Sequence, residues 1–231
     1  MSGIKTISAE QLAAYIDHTL LKAQATRAEF EKLCAEAVRH CFASIAINPA
    51  QLVFCRKQLE GSGMRLSVCV GFPLGQNTKD MKFLEAMTAI QEGANEIDYV
   101  INITELKAKN FRYVEDEMNS IVTLCRVNHV LSKVIFENCY LSDEEKRELC
   151  RIALAVCPDF IKTSTGFGSG GATLEDVRLM KDLVGDKIKI KAAGGIRNLK
   201  TALAMLDCGA ERIGSSAGVA IIEELKARPV F

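Results

Sequence analysis

A parallel (β/α)8 barrel is the fold class that this 231-residue sequence predicts. Short β-branched or apolar runs alternate with longer amphipathic ones from one end to the other, which is the signature of βα units and a parallel sheet. Eight such units fall within roughly 230 residues, close to the ~250 that the barrel typically takes. The residues with chemistry to offer gather where strands end and the next loop begins, the place where barrels build active sites. A doubly wound open sheet is the alternative arrangement of the same units.

The eight predicted strands lie near Ile16 to Leu20, Ser44 to Asn48, Arg65 to Phe72, Glu96 to Asn102, Lys133 to Asn138, Asp159 to Thr163, Ile188 to Ala192 and Arg212 to Ser215. Each is a short apolar or β-branched run bounded by turn-forming residues. Thr26-Arg27-Ala28-Glu29 and Ser142-Asp143-Glu144-Glu145 have capping-box form ahead of apolar periodicity, so a helix starts at each. Further helices are expected over Pro49 to Glu60, Thr78 to Gly93, Phe111 to Asn128, Thr173 to Val184, Leu199 to Cys208 and Ser216 to Lys226. No stretch rich in Pro, Ser or single-sign charge divides the chain, so residues 1–231 read as one domain.

Twenty-nine basic residues balance 29 acidic ones, leaving no global field to draw nucleic acid or an anionic membrane. The expected partner is a small molecule. The start of the chain lacks the apolar core of a signal peptide, and no later run approaches about 18 uninterrupted apolar residues. The expectation is a soluble, cytoplasmic protein. Nine cysteines are scattered through apolar segments without a Cys-x-x-Cys pair and read as reduced core residues. With an odd cysteine count and His18, His40 and His129 isolated, no structural zinc is expected.

Two lysines close successive strand-like runs and open glycine-bearing turns: Lys162 before Thr163-Ser164-Thr165-Gly166, and Lys191 before Ala192-Ala193-Gly194-Gly195. Strand alternation sets Ile97, Tyr99 and Ile101 on one face of the fourth strand and Glu96, Asp98, Val100 and Asn102 on the other. By the same parity Ile188 and Ile190 face the helices, leaving Lys189 and Lys191 inward, while Phe160, Lys162 and Ser164 share a face. Asp98, Lys162 and Lys191 then project into one barrel mouth.

One reading of that trio is structural, with Asp98 and Glu96 neutralising Lys191 and Lys189 in a buried ionic cluster. The chemical reading has one lysine attack a carbonyl, the second depress its pKa by like-charge repulsion, and Asp98 move protons. Pattern alone leaves open which lysine is the nucleophile.

Glycines follow each of these strands: Gly166 and Gly168, Gly194 and Gly195, and Gly214-Ser215-Ser216. Backbone amides in such turns can surround a phosphate, and the loops after the last strands are where barrels often hold one. Gly166-Phe167-Gly168-Ser169-Gly170-Gly171 formally satisfies Gly-x-Gly-x-x-Gly, with Asp186 about 20 residues on. It stands in the sixth unit instead of the first, and a dinucleotide reading leaves both lysines unexplained.

These segments, together with Tyr15-Ile16-Asp17-His18-Thr19-Leu20-Leu21, Gly71-Phe72-Pro73-Leu74-Gly75 and Ala94 to Asn102, resemble the short bacterial 2-deoxyribose-5-phosphate aldolases over nearly the whole chain. The resemblance implies a class I aldolase that needs no metal or cofactor. It would split 2-deoxy-D-ribose 5-phosphate into D-glyceraldehyde 3-phosphate and acetaldehyde in deoxynucleoside breakdown. It further implies that Lys162 forms the Schiff base, Lys191 tunes it and Asp98 transfers protons. Asp17 would help order the substrate or relay, and Gly166, Gly194, Gly195, Ser215 and Ser216 would bind phosphate. A homodimer or homotetramer is implied as well. Phe167 stands where some members carry lysine, Ala46 where many carry cysteine, Thr104-Glu105 where a glycine turn is common, and Phe231 where longer members end in a tyrosine. Another Schiff-base aldolase and a non-catalytic phosphate-binding barrel are the competing functions.

Overall fold

The structure, a computed structural model, describes residues 7–227. The terminal Phe231 singled out above lies outside them. Eight parallel strands close into a barrel in chain order: β1 (Ile16–Leu20), β2 (Ser44–Ile47), β3 (Leu66–Val70), β4 (Glu96–Val100), β5 (Leu131–Ile135), β6 (Phe160–Lys162), β7 (Lys189–Ala193) and β8 (Arg212–Ser215). The helices around it are α1 (Ala9–Ala13), α2 (Arg27–His40), α3 (Leu52–Gln58), α4 (Lys79–Gln91), α5 (Ile103–Lys107), α6 (Phe111–Val127), α7 (Asp143–Val156), α8 (Leu174–Val184), α9 (Leu199–Asp207) and α10 (Gly218–Lys226). The barrel expected from sequence is therefore the barrel observed, and the open sheet is excluded by the β1–β8 pairing.

Both predicted capping boxes form, at Thr26 and Ser142, and a third sits at Ser8. Each ties the N-cap hydroxyl to the N3 amide and the N3 side chain back to the N-cap amide, satisfying two otherwise orphaned donors. Two short helices were not foreseen: α1, and α5 over the Thr104-Glu105 segment. Asn102 explains the second, since its side chain caps Glu105 N and so ends β4 at Val100. Helix α10 starts at Gly218, not Ser216, because Ser215 Oγ accepts from Ala217 N and holds an intervening turn.

The core lies between barrel and helices. Ile16, Ile45, Ile47, Val68, Val70, Ile97, Tyr99, Val134, Ile161, Ile190 and Ile213 all face outward into it, as strand alternation requires. All nine cysteines are free thiols, seven of them buried or half-buried within this apolar layer or beside it and Cys41 and Cys157 exposed at helix ends. Among the described residues no helix is long and apolar enough to cross a membrane.

A fully buried ion pair sits outside the barrel. Lys82 and Glu117 are fully buried, 2.8 Å apart. Lys82 also donates to Val100 O at 2.8 Å, and Glu117 accepts from Asn102 N at 2.9 Å, so the pair pins the C-terminal end of β4 to α4 and α6. Burial pulls Lys82 down and pushes Glu117 up, only in part offset by their mutual attraction. Removing one partner strands a charge in the core. Lys82→Met is expected to lower unfolding free energy by about 3–5 kcal/mol in denaturant titrations, and adding Glu117→Leu is expected to return part of that loss.

Candidate active site

Barrels of this type are usually filled by branched aliphatic side chains. Here the strands turn charges inward instead. Parallel pairing sets Asp98 beside Lys133, Lys162 beside Lys191, and Lys191 beside Arg212, and residues paired in this way point to the same side of the sheet. Asp17, Glu96, Asp98, Lys133 and Lys191 are fully buried, Lys162 is 3% exposed and Arg212 9%.

The groups meet at Asp98. One oxygen, Oδ2, accepts from Lys162 Nζ at 2.8 Å and from Lys191 Nζ at 2.7 Å. The other, Oδ1, accepts from Lys133 Nζ at 2.5 Å and Ser67 Oγ at 2.9 Å. Asp17 lies beneath, its Oδ2 2.5 Å from Lys191 Nζ and its Oδ1 2.6 Å from Arg212 Nη1. Glu96 completes the floor, 2.6 Å from Lys133 and 3.1 Å from Arg212. Lys162, Lys191, Asp98 and Asp17, all named from sequence, are thus brought into one network.

Sequence reasoning missed Lys133, Glu96 in its actual pairing, and Arg212. Glu96 neutralises Lys133 and Arg212 and not Lys189, which is exposed at the opposite end of the barrel with its ammonium 5.7 Å from the Phe160 ring. The signal for Lys133 was parity: it sits two residues before Ile135 on a strand whose Val134 and Phe136 face the helices.

Electrostatics overturn one expectation. Burial is the largest influence on Lys162 and lowers its pKa, but Asp98, Cys69 and the hydrogen bond to Asp98 together raise it above the usual lysine value. Lys191 goes the other way: burial lowers it, Asp17 and Asp98 offset only part of that, and the charges of Lys162 and Lys133 add repulsion. The depressed lysine is therefore Lys191, not Lys162. Both amines approach Asp98 Oδ2 almost equally, at 2.8 and 2.7 Å, so the lower pKa of Lys191 follows from its burial together with the repulsion of both Lys162 and Lys133. Burial pushes the Asp98 carboxyl up, yet Lys133, Lys162 and Lys191 jointly hold it well below the carboxylate range. Lys133 stays raised because Asp98, Glu96 and Asp17 outweigh its burial.

Four cations (Lys133, Lys162, Lys191, Arg212) face three carboxylates (Asp17, Glu96, Asp98) in this interior. A dry cavity penalises the surplus charge, and neutrality is reached when one lysine gives up its proton. Asp98 Oδ2 joins Lys162 to Lys191, so either amine can be the neutral one after a short proton shift.

Above the network a cavity of about 300 Å³ opens at the C-terminal mouth, lined by Lys162, Thr165, Gly166, Phe167, Gly194, Gly195, Ile196, Gly214, Ser215 and Ser216, with Lys22 and Arg197 at its rim. All five residues named from sequence for phosphate are in that lining. The hydroxyl of Ser215 is already committed, donating to Ile196 O at 2.7 Å and accepting from Ala217 N at 3.0 Å. The loops after β6 and β7 touch: a Cβ on Gly171 would lie 2.3 Å from Gly194 O, so only glycine permits the approach. Phe167 is half exposed and meets Phe72 edge-on at 5.4 Å. A larger recess of about 660 Å³, lined by Tyr15, Phe160, Lys189 and Arg212, lies at the other end of the barrel and lacks the lysine pair.

Comparison with known proteins agrees with this chemistry. Residues 11–224 match the family model described as DeoC/LacD family aldolase. The chain is 55% identical over 219 residues to the deoxyribose-phosphate aldolase of Lactobacillus acidophilus, covering 95% of this chain and 92% of that one. It is 52% identical to that of Bacteroides thetaiotaomicron, over 96% and 94% of the two chains. Among solved structures, the tetrameric deoxyribose phosphate aldolase from Aeropyrum pernix superposes with a TM-score of 0.89 at 32% identity, covering 95% of this chain and 93% of that one. With both the model and these relatives spanning nearly its whole length, this chain belongs to the DeoC/LacD family of aldolases.

Proposed function

We propose that this protein reversibly cleaves 2-deoxy-D-ribose 5-phosphate to acetaldehyde and D-glyceraldehyde 3-phosphate by a Schiff-base mechanism, in deoxyribonucleoside catabolism. The observation that carries the reading is the single oxygen of Asp98 shared between Lys162 and Lys191 beneath a glycine-lined cavity. Lys162 alone of the three interior lysines lines that cavity, which favours it as the nucleophile.

In this scheme Lys162 passes its surplus proton through Asp98 to Lys191, the lysine whose pKa is depressed, and attacks the aldehyde carbon of the open-chain sugar. Loss of water gives a protonated imine. A base in the network takes the C3 hydroxyl proton, the C2–C3 bond breaks, and its electron pair moves through C2 into the iminium, giving an enamine and free glyceraldehyde 3-phosphate. Returning a proton to C2 and adding water release acetaldehyde and regenerate Lys162. Asp98 and Lys191 lie at the distances such transfers require. The phosphate fits the backbone amides of Gly166, Gly194, Gly195, Ser215 and Ser216 near the start of α10, with Arg197 and Lys22 supplying charge where Phe167 cannot.

A cytoplasmic homodimer or homotetramer is the assembly we propose. A similar solved aldolase is described as tetrameric, and Leu74, Met81 and Leu84 leave apolar surface on α4 and the segment before it. Sedimentation velocity is expected to give two or four times the 25.3 kDa chain mass, and a monomer at micromolar concentration would sink this assignment.

Two further outcomes test the chemistry. Acetaldehyde with borohydride is expected to place one ethyl group on Lys162, absent in Lys162→Ala by peptide mass spectrometry; an unlabelled protein would leave the network a purely structural ion cluster. The acid limb of the kcat/KM profile is expected to follow Lys191, since activity needs one neutral amine. Asp17 favours the protonated form of Lys191, so Asp17→Asn is expected to move that limb to lower pH; a limb that stays put or rises would count against Lys191 as the proton acceptor.

A further inference from the structure

The eleven residues 163–173 between β6 and α8 carry four glycines and no regular structure, yet they form one wall of the cavity. Such a segment is ordered only by what grips it. On the β7 side Thr163 Oγ1 donates to Ala193 O at 3.3 Å and accepts from Ala193 N at 3.2 Å, and Ala172 N reaches Ala193 O at 3.0 Å. The β5 side is held by a different device. Asn138 N donates to Thr163 O at 2.9 Å, and the preceding residue, Glu137, is 2% exposed and adopts a left-handed conformation with φ of 57°. A non-glycine residue takes that conformation at a cost, and it turns the carboxylate toward the loop. One oxygen accepts from Thr165 N at 3.1 Å; the other accepts from Thr165 Oγ1, which in turn accepts from Phe167 N at 3.0 Å. A Cβ on Gly168 would lie 2.7 Å from Cys139 Sγ and 3.2 Å from the Glu137 carboxyl, so the loop is pressed onto this turn. The amides of Thr165 and Phe167 are thereby consumed, and Gly166, left-handed at φ 88°, stands between them at the cavity wall.

We infer that Glu137 is a positioning residue for phosphorylated substrate. It touches no reacting atom, and it sets the backbone of residues 165–167 so that Gly166 presents its amide to the phosphate. The inference rests on the aldolase reading. Its charge is an incidental cost beside an anion; its hydrogen bonds are the useful part, and an amide can replace them.

The test compares cleavage of 2-deoxyribose 5-phosphate with that of unphosphorylated 2-deoxyribose in the full chain. Glu137→Ala is expected to raise KM for the phosphorylated sugar about tenfold or more, with a smaller effect on kcat, because two buried hydrogen bonds are lost. The preference for the phosphorylated sugar, as a ratio of kcat/KM values, falls accordingly, and Glu137→Gln restores most of it. Thr165→Val, which keeps the carboxylate and removes the hydroxyl, is expected to lower the same ratio and serves if Glu137→Ala does not fold. An unchanged ratio, a parallel loss on both sugars, or no rescue by Gln would each overturn the inference. Borohydride labelling of the wild type keeps the two readings apart: no label on Lys162 removes the aldolase reading itself, whereas a labelled enzyme with an unmoved ratio removes only the role of Glu137.

Discussion

Everything in this barrel hangs on one carboxylate held among three lysine side chains. Asp98 is fully buried, a position in which an isolated carboxylate would take up a proton. It stays ionised because Lys133, Lys162 and Lys191 surround it, and they are tolerable in the interior because it is there. Neither side of that bargain survives alone. The closed barrel brings the partners together from β4, β5, β6 and β7, so the chemistry is a property of closure and register and of no single segment.

Much of this was legible in the sequence, for reasons that differ by element. The barrel was readable because βα alternation recurs eight times, and α2 and α7 because capping boxes are local signals that tertiary packing did not override. Lys162 at the end of β6, Lys191 within β7 and the glycines after them were readable because strand parity and turn chemistry act over a few residues. Arg212 and Lys133 were not singled out, since nothing near either in sequence identifies a carboxylate partner contributed by another strand. Nor could parity foresee which lysine is depressed. That depends on the number of charges each faces across the barrel, a long-range sum that reversed the expected roles of Lys162 and Lys191 in the resting network.

The cavity above the network shows a division of labour between backbone and side chains. Its walls are glycine-rich loops whose close approach excludes side chains, as at Gly171 against Gly194, while charge comes from the rim at Lys22 and Arg197. Phe167, leaning on Phe72, adds an apolar edge where a cation would strengthen anion binding. The outer pair Lys82–Glu117 extends the same logic to the scaffold, fixing the end of β4 from behind so that Asp98 is held from both faces of its strand.

An interior built of paired charges also shapes how the sequence can drift. Apolar positions between barrel and helices can exchange one branched side chain for another of similar volume with little loss. Inside, Arg212 satisfies Asp17 and Glu96 together, and Lys133 satisfies Glu96 and Asp98, so no member can change without orphaning a neighbour. An exchange at any of the seven charges therefore calls for a matching change in a neighbour. Freedom to change one residue at a time then falls to the loops and the rim, while the charged floor beneath admits replacement only in matched sets.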